Sequence, residues 1–114
     1  MNEFKGTPGP WFGDNSRAIG PKSTEDDQSY GMIIPVGWVE FDPEIEVQVA
    51  NQNIMAAAPK MLQALQTIQQ KMSSFITIAN DIGINDDDGF YLYAAMEAER
   101  MARDVISEAL GESK

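Results

Sequence analysis

The sequence predicts an α+β domain in which a small N-terminal antiparallel sheet precedes three helices. Aromatic and β-branched residues, interrupted by proline and glycine, fill residues 1–41, which is typical of short strands and turns. Pro43 and Pro59 each stand at the start of a helical pattern, and apolar residues then recur every three or four positions. At 114 residues we expect a single domain, 1–114, strand-rich over 1–41 and helical over 42–114.

Composition excludes several kinds of chemistry. The chain has no cysteine and no histidine, so disulfides, thiolate catalysis, imidazole acid–base chemistry and the common zinc sites are not available. The net charge of −10 repels nucleic acid, and the eight basic residues form no cluster that would bind it. Residues 1–20 lack the features of a signal peptide, and no apolar stretch reaches the ~20 residues of a membrane span. We expect a cytoplasmic protein that binds neither nucleic acid nor membranes directly.

Short strands are predicted at Trp11–Phe12, at Ser16–Ile19 and within Tyr30–Phe41. The segment TPGPW, Thr7–Trp11, is predicted to turn and to place its tryptophan on the core. A proline and a glycine interrupt the third strand region, which favours an edge strand or two short strands over one regular strand. A sheet of this size has to pack on the helices that follow it.

Three helices are predicted after the strands. The first runs from Pro43 to about Ala57 with Asp42 as its N-cap, and the second runs from Pro59 to about Ala79. The third runs from about Asp87 to Leu110 and forms an antiparallel helical hairpin with the second. The first and second helices are predicted to form a pair that is kinked at Pro59, and this pair and the hairpin complete the predicted fold.

A regular apolar seam along the second helix is predicted to pack on another helix, either within the chain or in a second copy. Its residues are Met61, Leu65, Ile68, Met72, Phe75 and Ala79. The third helix carries a similar row, which consists of Tyr91, Ala94, Ala98, Met101, Val105 and Ala109.

No catalytic motif is present, so we predict that the protein is not an enzyme and has no cofactor or metal. The acidic segment Asn85–Gly89 resembles a calcium loop only superficially. With Gly89 at the sixth position of an EF-hand, Ile84 and Ala95 would stand where carboxylates are required. An N-cap with acidic residues at the positive end of the third helix is the simpler interpretation.

One group of residues has the chemistry that a purine nucleotide needs: aromatic rings that stack, an amide that pairs with the base edge, and arginines that meet phosphates. The candidate ligand-binding residues are Phe41, Asn51, Trp38, Arg100 and Arg103. Tyr30 and Arg17 could contribute in the same way.

A purely structural interpretation competes with this hypothesis. In it the aromatic residues belong to the core, Asn51 faces solvent, and the arginines pair with Glu97, Glu99 and Asp104. On residue chemistry alone we favour this second interpretation.

Two stretches resemble a group of small phage and prophage proteins: TPGPW, and ANQNIMAAAPKMLQAL at residues 50–65. Members of that group combine a TPGPW-like segment and short strands with a helix of the form ANAxLIAAAPxLLxAL. Gln52 and Asn53 depart from the small and basic residues usual there, and Met55 and Met61 replace aliphatic ones. The matching residues are Ala50, Asn51, Ile54, Ala56, Ala57, Ala58, Pro59, Leu62, Ala64 and Leu65.

The chain is also similar to the Thoeris anti-defence sponges, non-catalytic phage proteins that sequester a cyclic ADP-ribose signal made by a bacterial TIR protein. In that type an aromatic residue shortly before the first helix and an asparagine within it contact the ligand, and Phe41 and Asn51 stand at comparable places. The resemblance implies a small nucleotide-like signalling molecule as partner, a homo-oligomer through helix 59–79, and the host cytoplasm as location.

Two other functions stay open. An acidic inhibitor could present aspartate and glutamate in place of DNA phosphates to a host nuclease or DNA-binding protein. A structural or regulatory phage protein could act through its helical interface.

Overall fold

The computed structural model describes residues 3–24, 31–83 and 89–112, with backbone only for 89–91, and confirms the α+β fold with its N-terminal antiparallel sheet. Its elements are β1 (Phe12–Gly13), β2 (Ala18–Gly20), β3 (Gly37–Trp38), α1 (Ile45–Ala56), α2 (Ala58–Asp81) and α3 (Gly89–Leu110). The chain divides into two compact units, one formed by Phe4–Met61 and the other containing the helical residues from Leu62 onward. In the part that the structure describes, no helix is both long and apolar enough to cross a membrane.

The three strands pair antiparallel in the order β1-β2-β3. Gly13 is opposite Ile19, and Ala18 is opposite Trp38. Because side chains alternate along a strand, Ile19 and Trp38 point to opposite faces of the sheet. A Cβ atom on Gly13 would lie 2.8 Å from the side chain of Gln52, so α1 covers the face of Gly13 and Ile19. Trp38 therefore lies on the other face.

The TPGPW segment packs on the joint between α1 and α2. A Cβ atom on Gly9 would lie only 2.7 Å from the Cβ of Pro59, so no larger residue fits there without a shift. Trp11 is half-buried, and its Nε1 donates a hydrogen bond to the carbonyl of Thr7 at 3.2 Å. The predicted turn is confirmed, and the two sequence motifs contact each other.

The strands are shorter than predicted because turns take up part of each segment. Asp14 Oδ1 accepts hydrogen bonds from the backbone N–H and the hydroxyl of Ser16, and Arg17 has a φ of 70°. The second strand consequently begins at Ala18 rather than Ser16. Within residues 30–41 only Gly37–Trp38 pairs as a strand, and Ile33 forms an isolated bridge with Lys22. Tyr30 lies outside the described residues.

Helix α1 begins two residues later than predicted, with Glu44 rather than Asp42 at the N-cap position. Asp42 Oδ1 accepts a hydrogen bond from the N–H of Glu44 at 2.8 Å, so the aspartate closes a turn ahead of the helix. The predicted acidic N-cap of α3 at residues 85–88 lies outside the described part of the chain, and α3 is seen from Gly89.

Helices α2 and α3 form the predicted hairpin. Gln69 Nε2 donates a hydrogen bond to Glu99 Oε2 at 2.6 Å, which places these residues opposite each other. In an antiparallel hairpin with that register, Leu62 lies level with Ile106, and Ile76 lies level with Leu92. Buried residues of the hairpin include Gln69, Ala79, Ala95, Ala102 and Ile106.

The predicted apolar seams are only partly correct. On α2, Leu65, Met72 and Ala79 face inward as predicted, but Met61, Ile68 and Phe75 are exposed. On α3, the inward row is shifted by one residue from the predicted row. Its members are Leu92, Ala95, Glu99, Ala102, Ile106 and Leu110. The predicted row of α3, from Ala94 to Ala109, is exposed, and the side chain of Tyr91 lies outside the described part.

Candidate functional site

The segment before α1 holds Phe41 at the surface. The N–H of Asp42 donates a hydrogen bond to Gln48 Oε1 at 3.1 Å, which ties the residue after Phe41 to the second turn of α1. The turn at Asp42 fixes the same segment from its other side. With 57% of its surface exposed, Phe41 is not a core residue. Its ring is available for stacking.

Asn51 lies three residues after Gln48 and is exposed. Residues three apart are neighbours on a helix surface, so Asn51 lies beside the position where the Phe41 segment attaches to α1. Within the described chain the amide of Asn51 has no hydrogen-bond partner. Phe41 and Asn51 are thus both exposed in the described part of the chain, one just before α1 and the other within it.

Gln52 is a residue that the sequence interpretation missed. It is buried, and its Nε2 donates hydrogen bonds to the carbonyls of Asp14 and Ala18 at 2.7 and 3.1 Å. These bonds fasten the β1–β2 turn to α1. The departure of Gln52 from the ANAxLIAAAPxLLxAL pattern was the only sequence signal for this role.

Trp38 lies away from Asn51, on the sheet face that α1 does not cover. It is 59% exposed and lines an open groove of about 530 Å³ with Lys22, Met32 and Pro35. The ammonium of Lys22 lies 4.6 Å from the ring centre of Phe12. The chain therefore presents Trp38 and Asn51 on opposite sides of its sheet.

Asp14 also lines the Trp38 groove. Its hydrogen bonds from the hydroxyl and then the N–H of Ser16 hold the pKa of its carboxyl below the ordinary value. The carboxylate therefore stays charged near neutral pH and offsets the positive charge of Lys22. The groove is nearly neutral in its described residues.

Arg100 and Arg103 line a second open groove, of about 540 Å³, between α2 and α3. Tyr93, Met96 and Ser73 also line it, and Tyr93 was not predicted as a candidate. An exposed tyrosine and two guanidinium groups are the kinds of groups that bind a nucleotide.

The arginines of this groove already have carboxylate partners. Arg100 pairs with Glu97 and, at 3.7 Å, with Asp104, while Arg103 lies 3.7 Å from Glu99. The hydrogen bond and charge of Glu97 raise the pKa of Arg100 further above its usual range. These are the ion pairs of the structural interpretation, which thus holds for the arginines and also for Asn51, which is exposed as it predicted. It is wrong for Phe41 and Trp38, which are exposed rather than core residues.

Metal ligands are not gathered anywhere within residues 3–24, 31–83 and 89–112: no group of three or more acidic side chains there could hold an ion. The acidic segment 85–88 is outside those ranges.

A protein-family model described as Salmonella phage P22 protein Y8K6 matches residues 1–113. The chain belongs to this family. The match covers both compact units, so the Y8K6 family is defined by the strand-rich unit and the hairpin together. No curated protein and no solved structure matches the chain. Its phage origin thus rests on the Y8K6 family.

Proposed function

We propose that this Y8K6-family protein is a non-catalytic anti-defence protein that acts in the host cytoplasm. It would bind a cyclic nucleotide, such as a cyclic ADP-ribose immune signal, and keep it from its effector. The observation that carries the proposal is that Phe41 and Asn51 are both exposed in the strand-rich unit, with Asp42 hydrogen-bonded to Gln48 of α1. An aromatic ring and a free amide together match the face and the edge of a purine.

Arg17 is a basic residue that could meet a phosphate here, because it is hydrogen-bonded to the segment that carries Phe41. Its Nη1 lies 3.3 Å from the carbonyl of Val39, two residues before Phe41. Among the described residues, Arg17 has no carboxylate partner. A guanidinium that is held by one backbone carbonyl keeps further N–H groups for an anion.

Arg100 and Arg103 stay candidates for a diphosphate contact on their own groove. Their present partners have to be displaced for that role, because Glu97 and Glu99 occupy the guanidinium groups. The exposed pair of Arg100 with Glu97 contributes about 0–1 kcal/mol, so a diphosphate can compete with it. The pair of Arg103 with Glu99 is harder to displace, because the side chain of Glu99 is only 13% exposed.

A sequestering protein works by mass action. A tight site lowers the free signal below the concentration that its effector needs, with no turnover. The proposal includes a homo-oligomer through helix 59–79, which the exposed Met61, Ile68 and Phe75 of α2 support.

Isothermal titration calorimetry with cyclic ADP-ribose isomers and cyclic dinucleotides tests the proposal. We expect one of these ligands to bind, and F41A and N51A each to weaken it about tenfold or more, since base stacking contributes about 1–3 kcal/mol. N53A, which removes another exposed amide of α1, serves as the matched control and should bind normally.

Two results would count against the proposal. Absence of binding heat with every ligand would remove the function. Normal binding by the F41A/N51A double variant would show that the ligand binds elsewhere, at the Trp38 groove or the arginine groove. The variants W38A and R103Q then distinguish these two grooves.

A further inference from the structure

A continuous exposed stripe runs along α2, which we call the α2 stripe. Its residues are Ala64, Ile68, Lys71, Phe75, Ile78 and Ile82. Their spacing of four, three, four, three and four is that of a coiled-coil seam. The N–H of Ile82 donates to the carbonyl of Ile78 at 3.0 Å, so the last residue continues the helical path just beyond α2. All six residues are exposed, from 48% for Phe75 to 70% for Ile82 among the large apolar ones.

The α2 stripe is separate from the face that packs in the hairpin. The hairpin side of α2 carries Leu62, Gln69 and Ile76, which are buried or half-buried. At about 100° per residue, Phe75 lies roughly a quarter turn around the helix from Ile76. One helix thus has two apolar seams, and within residues 3–24, 31–83 and 89–112 only one of them packs on a partner.

We propose that a second copy of this chain covers the α2 stripe, with the two α2 helices antiparallel about a two-fold axis at residue 73. The stripe is symmetric about that point. An antiparallel pair places Ile68 against the partner's Ile78, and Lys71 against the partner's Phe75. Ala64, the smallest residue of the stripe, then meets the partner's Ile82 at each end of the seam.

Lys71 decides the orientation. It has no carboxylate partner among the residues that the structure describes. In a parallel pair it would face the partner's Lys71 inside an apolar seam, where like charges repel strongly. In the antiparallel pair its ammonium lies over the ring of the partner's Phe75, a favourable cation–π arrangement that occurs twice per dimer.

Charge also favours α2, rather than another surface, as the place where two of these acidic chains meet. The whole chain has a net charge of −10, but α2 carries only Lys60, Lys71 and Asp81. Two copies therefore meet through the one long helix whose own net charge is not negative. The remaining flanks of α2 are largely uncharged glutamine, serine and threonine. This dimer rests on the homo-oligomer of the proposed function and specifies its geometry, but it needs no ligand, so light scattering tests the dimer and calorimetry tests the ligand separately.

Light scattering on the full chain gives the first test. We expect twice the 12.6 kDa of one chain at micromolar concentration. F75K places a second lysine against the partner's Lys71 and should shift the protein to a monomer with unchanged circular dichroism. M101K adds the same charge at an exposed residue of α3 outside the stripe and should stay dimeric.

A charge-reversal rescue and cross-linking test the orientation. Adding Lys71→Glu to F75K pairs opposite charges only in the antiparallel dimer, so dimer mass should return. The chain has no cysteine, which leaves single-cysteine variants clean. A mixture of A64C and I82C chains should cross-link with a short bifunctional thiol reagent, and A64C alone should not. A monomeric wild-type chain, an F75K dimer of normal affinity, or efficient cross-linking of A64C to itself would overturn the proposal.

Discussion

Asn51 and Gln52 are adjacent in α1, yet their amides have opposite environments. Gln52 is buried with both hydrogens of its Nε2 directed at backbone carbonyls, whereas Asn51 is exposed. A buried carbonyl that loses its hydrogen-bond donor is left with the full free energy cost of its removal from water. One amide is therefore assigned to the fold and the other is available for a ligand.

Replacing each amide by leucine should separate the two roles. We expect Gln52→Leu to lower the free energy of unfolding by about 1–3 kcal/mol, because the carbonyls of Asp14 and Ala18 are left without a donor. Asn51→Leu, at an exposed position, should change it by less than about 0.5 kcal/mol. Urea unfolding followed by circular dichroism measures both. Equal losses for the two variants would contradict this assignment.

Sequence reasoning predicted Phe41 and Asn51 as candidates but not how the segment after Phe41 attaches to α1. That attachment depends on the hydrogen bond between the Asp42 N–H and Gln48, a contact six residues apart that no periodicity encodes. Gln52 was missed for a similar reason. A buried glutamine is indistinguishable from a solvated one until the carbonyls that it binds are placed.

At the scale of single elements, the hairpin contains a polar layer within its apolar seam. Gln69 is buried, and the side chain of Glu99 is only 13% exposed. Their hydrogen bond, together with the ion pair from Arg103, satisfies groups that would otherwise be costly to bury. A polar layer of this kind fixes the register of two helices, because sliding either helix leaves both groups without partners.

Removing one member of the layer should therefore cost more than removing a surface carboxylate. We expect Glu99→Ala to destabilise the fold by about 1–3 kcal/mol through the unpaired amide of Gln69. Glu97→Ala, which removes the exposed ion pair with Arg100, should cost at most about 1 kcal/mol.

Thermal unfolding of both variants and of a Q69L/E99L double variant checks this prediction. The double variant replaces the polar layer by apolar groups and should recover most of the loss. Similar losses for Glu99→Ala and Glu97→Ala would show that the layer contributes no more than a surface pair.

The predicted helices were correct in existence and type because two prolines and a strong seven-residue spacing indicate them. Which residues of each helix point inward was less predictable. Helix α2 has apolar residues on two neighbouring faces, so a single seam drawn through Met61, Leu65 and Ile68 mixes both. On α3 a glutamate occupies an inward position, and a search for apolar residues passes over it.

At the scale of the whole molecule, acidic charge outweighs the ion pairs. The chain has 18 acidic and eight basic residues, and its described ion pairs all form between side chains of α3. Self-repulsion of this excess should destabilise the folded chain at low salt, and counterions screen it within about 10 Å at 0.1 M.

We therefore expect the unfolding temperature to rise by a few degrees between about 0.01 and 0.15 M sodium chloride, as repulsion is screened. Differential scanning calorimetry at constant pH measures the shift, and equal osmolality of sucrose controls for general solute effects. A fall in unfolding temperature with salt would mean that attractive ion pairs dominate instead.

The contact of Gly9 with Pro59 links the two motifs by which the sequence resembles its phage relatives. The TPGPW motif contributes the backbone of Gly9 to this contact and the second motif contributes the side chain of Pro59, while the same second motif carries the exposed Asn51. The second motif therefore combines a packing residue with a candidate ligand contact, and neither motif contains Phe41. Among relatives, we expect residues 9 and 59 to change together, while the surface around Phe41 diversifies independently.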